Sequence, residues 1–207
     1  MRIPRALLLL PPALGGIAAG ILAARRGWMR VEVAGESMTP ALQPGDFLVL
    51  RRGAPTPARA FGQVVATRDP RPEGDGRLLL KRVVGLPGEA LRVGGGVPVN
   101  GRVLLEPYAH GETPYEQHRG INRLGQDEYF VLGDHRGAST DSRDFGPVPS
   151  GAIEGVAVLR YWPPERFGRI TPPERRLLGL ADRPEATRTA GTSPVTWFEA
   201  APESGNS

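Results

Sequence analysis

Three short stretches of the chain hold residue types that could do covalent chemistry. In "GESMTPALQPGD", Gly35 to Asp46, a serine follows a strand-like run and precedes a proline-stopped turn. In "RLLLKRVVG", residues 77 to 85, stands Lys81, the one lysine among 26 lysines and arginines in the whole chain. In "GDHRGASTDSRDFGPVP", Gly133 to Pro149, serines, aspartates and arginines crowd into a turn after a strand. A serine hydroxyl is a poor nucleophile until a neighbouring base takes its proton. None of the three histidines, His110, His118 and His135, lies in a setting that resembles a His/Asp relay, and no GxSxG elbow is present.

A lysine can be that base if it is neutral. Its ordinary pKa of ~10.4 leaves only about one molecule in a few thousand deprotonated at pH 7. Desolvation disfavours the ammonium and lowers that pKa. Arginine cannot do the same, because guanidinium stays protonated in proteins. If "LLLKRVV" is a strand, Leu79, Lys81 and Val83 share one face and Leu80, Arg82 and Val84 the other. Lys81 then projects among apolar neighbours while Arg82 points away, free to pair with a carboxylate. The residues alone leave two readings open. Lys81 is either a desolvated base or a lysine that snorkels to water from a sheet edge. Ser37 by itself is a weak signal, since most turn serines only cap or bend the chain. The hydroxyls and charges of 133–149 are of the kind that hold a desolvated amine in one rotamer.

The elements that must position these residues read as short strands. "MRVEVAG" alternates apolar and polar residues, and "GDFLVLRR", "GRLLLKRVVG", "EALRVGGGVPVNG", "DEYFVLGD" and "GAIEGVAVLRYW" continue the series between Gly/Pro turns. With 28 glycines and 22 prolines in 207 residues, the expected fold class is mainly β. Leu105 to Gln126 is polar and turn-rich and reads as a small cap excursion from the sheet. The domain is expected to span 27–169. The Pro-, Thr- and Glu-rich stretch 170–207 reads as a disordered tail.

Ala6 to Ala24 carries no charge. A helix of nineteen residues rises ~1.5 Å per residue and nearly crosses a hydrocarbon core of ~30 Å. Residues 1–26 are therefore expected to be an N-terminal membrane anchor, the competing reading being a cleavable signal peptide. The chain has no cysteine, which excludes disulfides, thiolate metal sites and a cysteine nucleophile. The net charge of +4 is scattered as ones and twos of arginine, with no basic stripe interleaved with aromatics. That argues against nucleic acid as a partner, and a basic surface beside an anionic membrane is the simpler account.

In sequence order, "SMTPAL", "GDFLVL", "KRVVGLPGE" and "GDHRGASTDSRDFGPV" resemble the conserved boxes of bacterial type I signal peptidases, over roughly Val31 to Trp162. The resemblance implies a β-rich catalytic core tethered to the membrane, without metal or cofactor. It makes Ser37 the nucleophile and Lys81 the general base. Ser139 would orient the lysine by accepting its hydrogen bond, Asp141 and Arg143 would brace the last box, and Asp134 would pair with Arg82. The backbone N–H of Ser37 would serve the oxyanion. Val31, Val33, Met38, Leu42, Leu79 and Leu80 would line shallow apolar pockets for an Ala-x-Ala pattern, in a substrate added as a strand between "VEVAG" and "LLLK". The implied partners are preprotein signal peptides and the lipid bilayer. The catalytic domain of a monomeric, single-pass protein of the cytoplasmic membrane would face the extracytoplasmic side.

Three departures bear on that pattern. Gly35-Glu36 stands where many relatives carry Ser-Gly, and a relative with serine at position 35 uses its hydroxyl in the oxyanion hole. His135 occupies a position where asparagine is usual and is read as structural. Glu89 replaces a common aspartate. Self-cleaving repressors share a Ser/Lys pairing but carry a DNA-binding helical domain for which this chain has no room. A pilin-maturing peptidase and an inactive membrane-anchored peptide-binding domain are the remaining rivals.

Overall fold

A computed structural model of the chain describes residues 26–94, 96–111 and 123–179. The main sheet is built from β1 (Trp28–Glu32), β2 (Phe47–Arg52), β3 (Val64–Arg68), β4 (Leu78–Gly85), β7 (Glu128–Leu132), β8 (Val148–Pro149), β9 (Ile153–Trp162) and β10 (Gly168–Arg169). Its order is β1-β2-β9-β3-β4-β7-β8, with β10 paired to β9. A smaller sheet joins β5 (Pro98–Val99), β6 (Arg102–Leu104) and β11 (Leu177–Leu178). Two single-turn helices, α1 (Pro57–Ala60) and α2 (Ser142–Phe145), sit in the connections. The expectation of a mainly β chain agrees with this architecture.

β3 is the strand that alternation does not reveal. Its sequence, VVATR, is buried at four consecutive positions because Val64 and Ala66 pack in one core cluster and Val65, on the opposite face, in another. A strand covered on both faces has no polar side to show. Conversely, "EALRVGGGVPVNG" yields only β5 and a single bridge between Leu91 and Val99.

β4 carries the design of the molecule. Leu80 packs on the cluster of Val33, Met38, Leu42 and Leu48, Val83 belongs to that of Val65, Tyr129 and Val131, and Val84 to that of Leu91, Phe130 and Leu132. One strand thus touches all three cores, which pins its position by close packing. β3 pairs with it from Leu78 to Arg82, whereas β7 joins it only from Arg82 to Gly85. Among the described strands, Leu78–Lys81 is therefore paired on one side alone.

One expectation needs correction. The ordered chain does not stop at Arg169. Ile170 packs against the core, Arg175 pairs with Glu89 at 2.8 Å, and β11 adds to β6. The apolar pair Leu177-Leu178 holds this stretch down, and the surrounding prolines and charges hide it in the sequence. Residues 180–207 lie outside the described residues. At the start of the 105–126 excursion, Glu106 and Tyr108 pack on the site described below. The expected membrane anchor also lies outside the described residues, apart from Arg26. Among the described residues no helix is long and apolar enough to cross a membrane.

Candidate active site

Ser37 lies in the turn that follows β1, and the next residue explains its placement. Met38 is 1% exposed, seated in the core, so its side chain plugs the turn and leaves the half-buried Ser37 at the surface of that core. Lys81 reaches the same point from the middle of β4. Its side chain is buried, and its Nζ lies 2.7 Å from Ser37 Oγ. Among the described residues this is the one hydrogen-bond partner of the amine.

Burial pulls the Lys81 amine down to about 8; the negative charge of Asp141 opposes this and the positive charge of Arg143 assists it. At pH 7 such an amine is neutral in about one molecule in ten, against about one in three thousand for an ordinary lysine. The snorkelling alternative does not describe this side chain, which ends on a serine hydroxyl and not in water.

The turn from Gly133 to Phe145 supplies the backing. Asp141 is fully buried and fully employed. Its Oδ2 accepts from the Gly133 N–H at 2.9 Å, the Ser139 hydroxyl at 2.7 Å and Arg143 Nη2 at 2.9 Å, while Oδ1 accepts from Arg143 Nε at 2.8 Å. It also caps α2, accepting from the Arg143 N–H, and Asp144 returns the bond by accepting from the Asp141 N–H at 2.9 Å. Capping of this reciprocal kind satisfies donors that a one-turn helix cannot satisfy itself. Ser139 thus donates to Asp141, and no hydrogen bond links it to Lys81 in this structure. With its proton committed to Asp141, its oxygen keeps acceptor capacity for the amine.

Arg82 projects away from Lys81. Its Nε donates to Asp134 Oδ1 at 2.7 Å, its Nη2 completes a bidentate pair with Oδ2, and its Nη1 donates to the Gly62 carbonyl at 2.8 Å. Arg82–Asp134, which ties β4 to the last box, and Arg143–Asp141, within that box, are ion pairs buried on both partners.

The six residues expected to line substrate pockets divide into two groups. Val33, Met38 and Leu42 are 3%, 1% and 2% exposed and belong to the core, so they form a floor and present no open wall. Val31, Leu79 and Leu80 are partly buried, and Val31 and Leu80 pack on that same floor. Alternation places an apolar residue on a face but does not say whether the face is open.

Sequence reasoning missed several residues of the assembly. A Cβ on Gly133 would lie 2.2 Å from Ser139 Oγ and 2.6 Å from the Ser37 carbonyl oxygen, so only glycine lets the two serine-bearing segments meet. Ser142 Oγ accepts from the Val131 N–H at 3.0 Å and ties α2 to β7. Glu106 pairs with the buried Arg136 at 2.7 Å, and Arg136 Nε donates to the Gly133 carbonyl. The Tyr108 ring covers the Arg82 guanidinium at 4.6 Å. Gly133 and Arg136 stand inside the last box, whereas nothing in the order of residues announces Glu106 as the partner.

Comparison with known proteins gives this arrangement a family. Residues 9–162 match the family described as signal peptidase, peptidase S26. Signal peptidase I of Leptolyngbya laminosa is 36% identical over 149 residues, covering 68% of this chain and 72% of that protein. Probable signal peptidase I-2 of Synechocystis is 34% identical over 172 residues, covering 79% and 76%. The mitochondrial ATP-independent inner membrane protease subunit 1a of Arabidopsis thaliana is 36% identical over 143 residues, covering 67% and 73%. The matches define a class first: the chain is a peptidase. It belongs to the signal peptidase family, peptidase S26, and groups with the type I signal peptidases.

Proposed function

We propose that the chain is a membrane-anchored serine endopeptidase that removes signal peptides from exported preproteins after Ala-x-Ala-like sites. The contact that carries this reading is Lys81 Nζ against Ser37 Oγ at 2.7 Å in a buried setting. Neutral Lys81 takes the Ser37 proton as Oγ attacks the carbonyl carbon before the scissile bond. The oxyanion formed is met by the Ser37 backbone N–H. The lysinium then protonates the leaving amine, which departs as the new N-terminus of the mature chain. Lys81, neutral again, activates a water that hydrolyses the acyl-enzyme. Ser139 accepts from the lysinium and returns it to the same rotamer, and Asp141 and Arg143 hold Ser139 in place. Arg82 and Asp134 hold the strand and the last box together. The part of β4 that lacks a second strand, Leu78–Lys81, suits an extended peptide added to the sheet edge. Val31, Leu79 and Leu80 would meet its side chains.

Residues 1–26 would anchor the enzyme as a single span, with the catalytic domain, 27 to the end of β11, on the extracytoplasmic side. A pilin-maturing peptidase differs from this reading only in substrate. The test is incubation of the full chain in detergent with a preprotein, scored by release of the signal peptide. Cleavage by the wild type and none by Ser37→Ala is the expected result. Cleavage by Ser37→Ala would remove the serine from the mechanism, and binding without cleavage by the wild type would make the chain a peptide-binding module.

A further inference from the structure

The turn that carries Ser37 is held by a second residue pair outside the catalytic set. Thr39 donates twice to one acceptor: its backbone N–H and its hydroxyl both reach the Glu36 carbonyl oxygen, at 3.0 and 2.9 Å. The Thr39 hydroxyl oxygen also lies 3.1 Å from Nδ1 of His135. Three heteroatoms thus stand in a row, His135 Nδ1, Thr39 Oγ1 and the Glu36 oxygen, and two contacts need two protons. A hydroxyl has one proton. If Thr39 gave it to His135, two lone-pair oxygens would face each other at 2.9 Å with nothing between them. If Nδ1 carries a proton, both contacts are filled, and the row reads Nδ1–H to Oγ1–H to O=C.

The Glu36 carbonyl and the Ser37 N–H are the two ends of one planar peptide unit. Fixing and polarising the carbonyl end therefore orients and strengthens the N–H end as a donor. His135 holds the other side of Ser37 as well, since its backbone N–H donates to the Ser37 carbonyl oxygen at 3.0 Å. Resting on the proposed role of Ser37, we infer that His135 and Thr39 are positioning residues. In its Nδ1–H form, His135 aims the Glu36–Ser37 peptide so that its N–H meets the oxyanion. Gly35 has no hydroxyl to share that task, so this peptide has more to do here than it would beside a serine.

The inference makes a stereochemical demand that separates two similar substitutions. Asparagine places an amide N–H near where histidine Nδ1 sits, and glutamine places one near Nε2. With the full chain in detergent and a preprotein substrate, Thr39→Val should lower kcat by about 10- to 100-fold with KM within about twofold. That is less than the 10²–10³ lost when an oxyanion donor is removed outright. His135→Asn should stay within about threefold of wild type, and His135→Gln should be as slow as Thr39→Val. In the Thr39→Val background the His135→Gln change should add nothing.

Histidine ¹⁵N shifts of the wild-type chain, with the His135 signals identified by their loss in His135→Asn, should report the Nδ1–H tautomer. That readout stands even where a variant folds poorly. An Nε2–H tautomer, activity kept by glutamine and lost with asparagine, or an effect carried by KM would each overturn the inference. Ser37→Ala separates its failure from that of the proposed function. Residual cleavage there removes the nucleophile itself, whereas an inactive Ser37→Ala with the wrong tautomer removes only the relay.

Discussion

Lys81 and Arg82 are consecutive residues on β4, both buried and both cationic by type, yet the molecule treats them in opposite ways. Arg82 meets a carboxylate bidentately, a carbonyl and an aromatic face. Lys81 is given a hydroxyl. The nearby carboxylate, Asp141, is already saturated by Arg143, Ser139 and the Gly133 N–H. A bidentate partner would hold the ammonium charged, and withholding it lets desolvation favour the neutral amine. Arginine occupies the buried sites that hold a counter-charge, and the one lysine occupies the site where desolvation favours the neutral form. The paired and unpaired sites should therefore respond differently to substitution.

The largest effect should come from breaking the unpaired site. Lys81→Arg keeps the charge and nearly the length but cannot give up its proton. Preprotein cleavage should fall by about 10⁴-fold or more, as for loss of a nucleophile or base that acts as a unit. Lys81→Arg with measurable turnover in the release assay would mean that some other group takes the Ser37 proton.

On the paired side the damage should appear as stability. Asp141→Ala leaves the Arg143 guanidinium buried without a counter-charge and strips acceptors from Ser139 and Gly133. Removing one partner of a buried pair typically destabilises by about 3–5 kcal/mol. Denaturant unfolding should show a drop of that size, and a drop below about 1 kcal/mol would mean that water satisfies Arg143 instead.

How far such a contrast can be read in advance depends on the kind of information each residue carries. Ser37, Lys81, Arg82, Asp134 and Asp141 are legible because their types are chemically unusual in their settings and their order matches a known pattern. Gly133 is legible only as a letter of that pattern, because its reason is a contact between two segments far apart in the chain. Glu106 is not legible, since a lone glutamate in a polar stretch looks solvated until Arg136 is seen beneath it. β3 and β11 escape for another reason: one is covered on both faces, and the other is two leucines among prolines and charges. The pocket assignments mix floor and wall because alternation reports the face and never its depth.

Acidity offers a finer probe of the unpaired site. In the proposed mechanism the neutral form of Lys81 is the active one, so kcat/KM should rise with pH and level off above about 8. The same depressed value has a consequence for stability. Between about 8 in the fold and the ordinary 10.5, the unfolded chain binds the proton that the folded one lacks, so wild-type stability rises with pH across that window. Below the window the desolvation penalty is present in full. Lys81→Met removes it, and should stabilise the fold by about 1–3 kcal/mol at pH 7 and by little above pH ~10.5. A Met variant no more stable than wild type at pH 7 would place water beside the amine.

The smallest expected effect tests whether the site is complete on the serine side. A Cβ built on Gly35 meets nothing within 4 Å, and Gly35 is not among the glycines with a left-handed backbone. A side chain there thus meets neither a clash nor strain. The resemblance to type I signal peptidases implies that a serine at this position adds a hydroxyl donor to the oxyanion hole. Gly35→Ser should therefore raise kcat by about two- to tenfold, well short of the 10²–10³ that an established donor is worth, because the surroundings have not been shaped to hold its rotamer. KM should hardly move, since the oxyanion exists only after attack. The informative comparison is Gly35→Ser against Gly35→Ala. Equal gains would trace the effect to a stiffer backbone, and a gain for serine alone would trace it to the added hydroxyl.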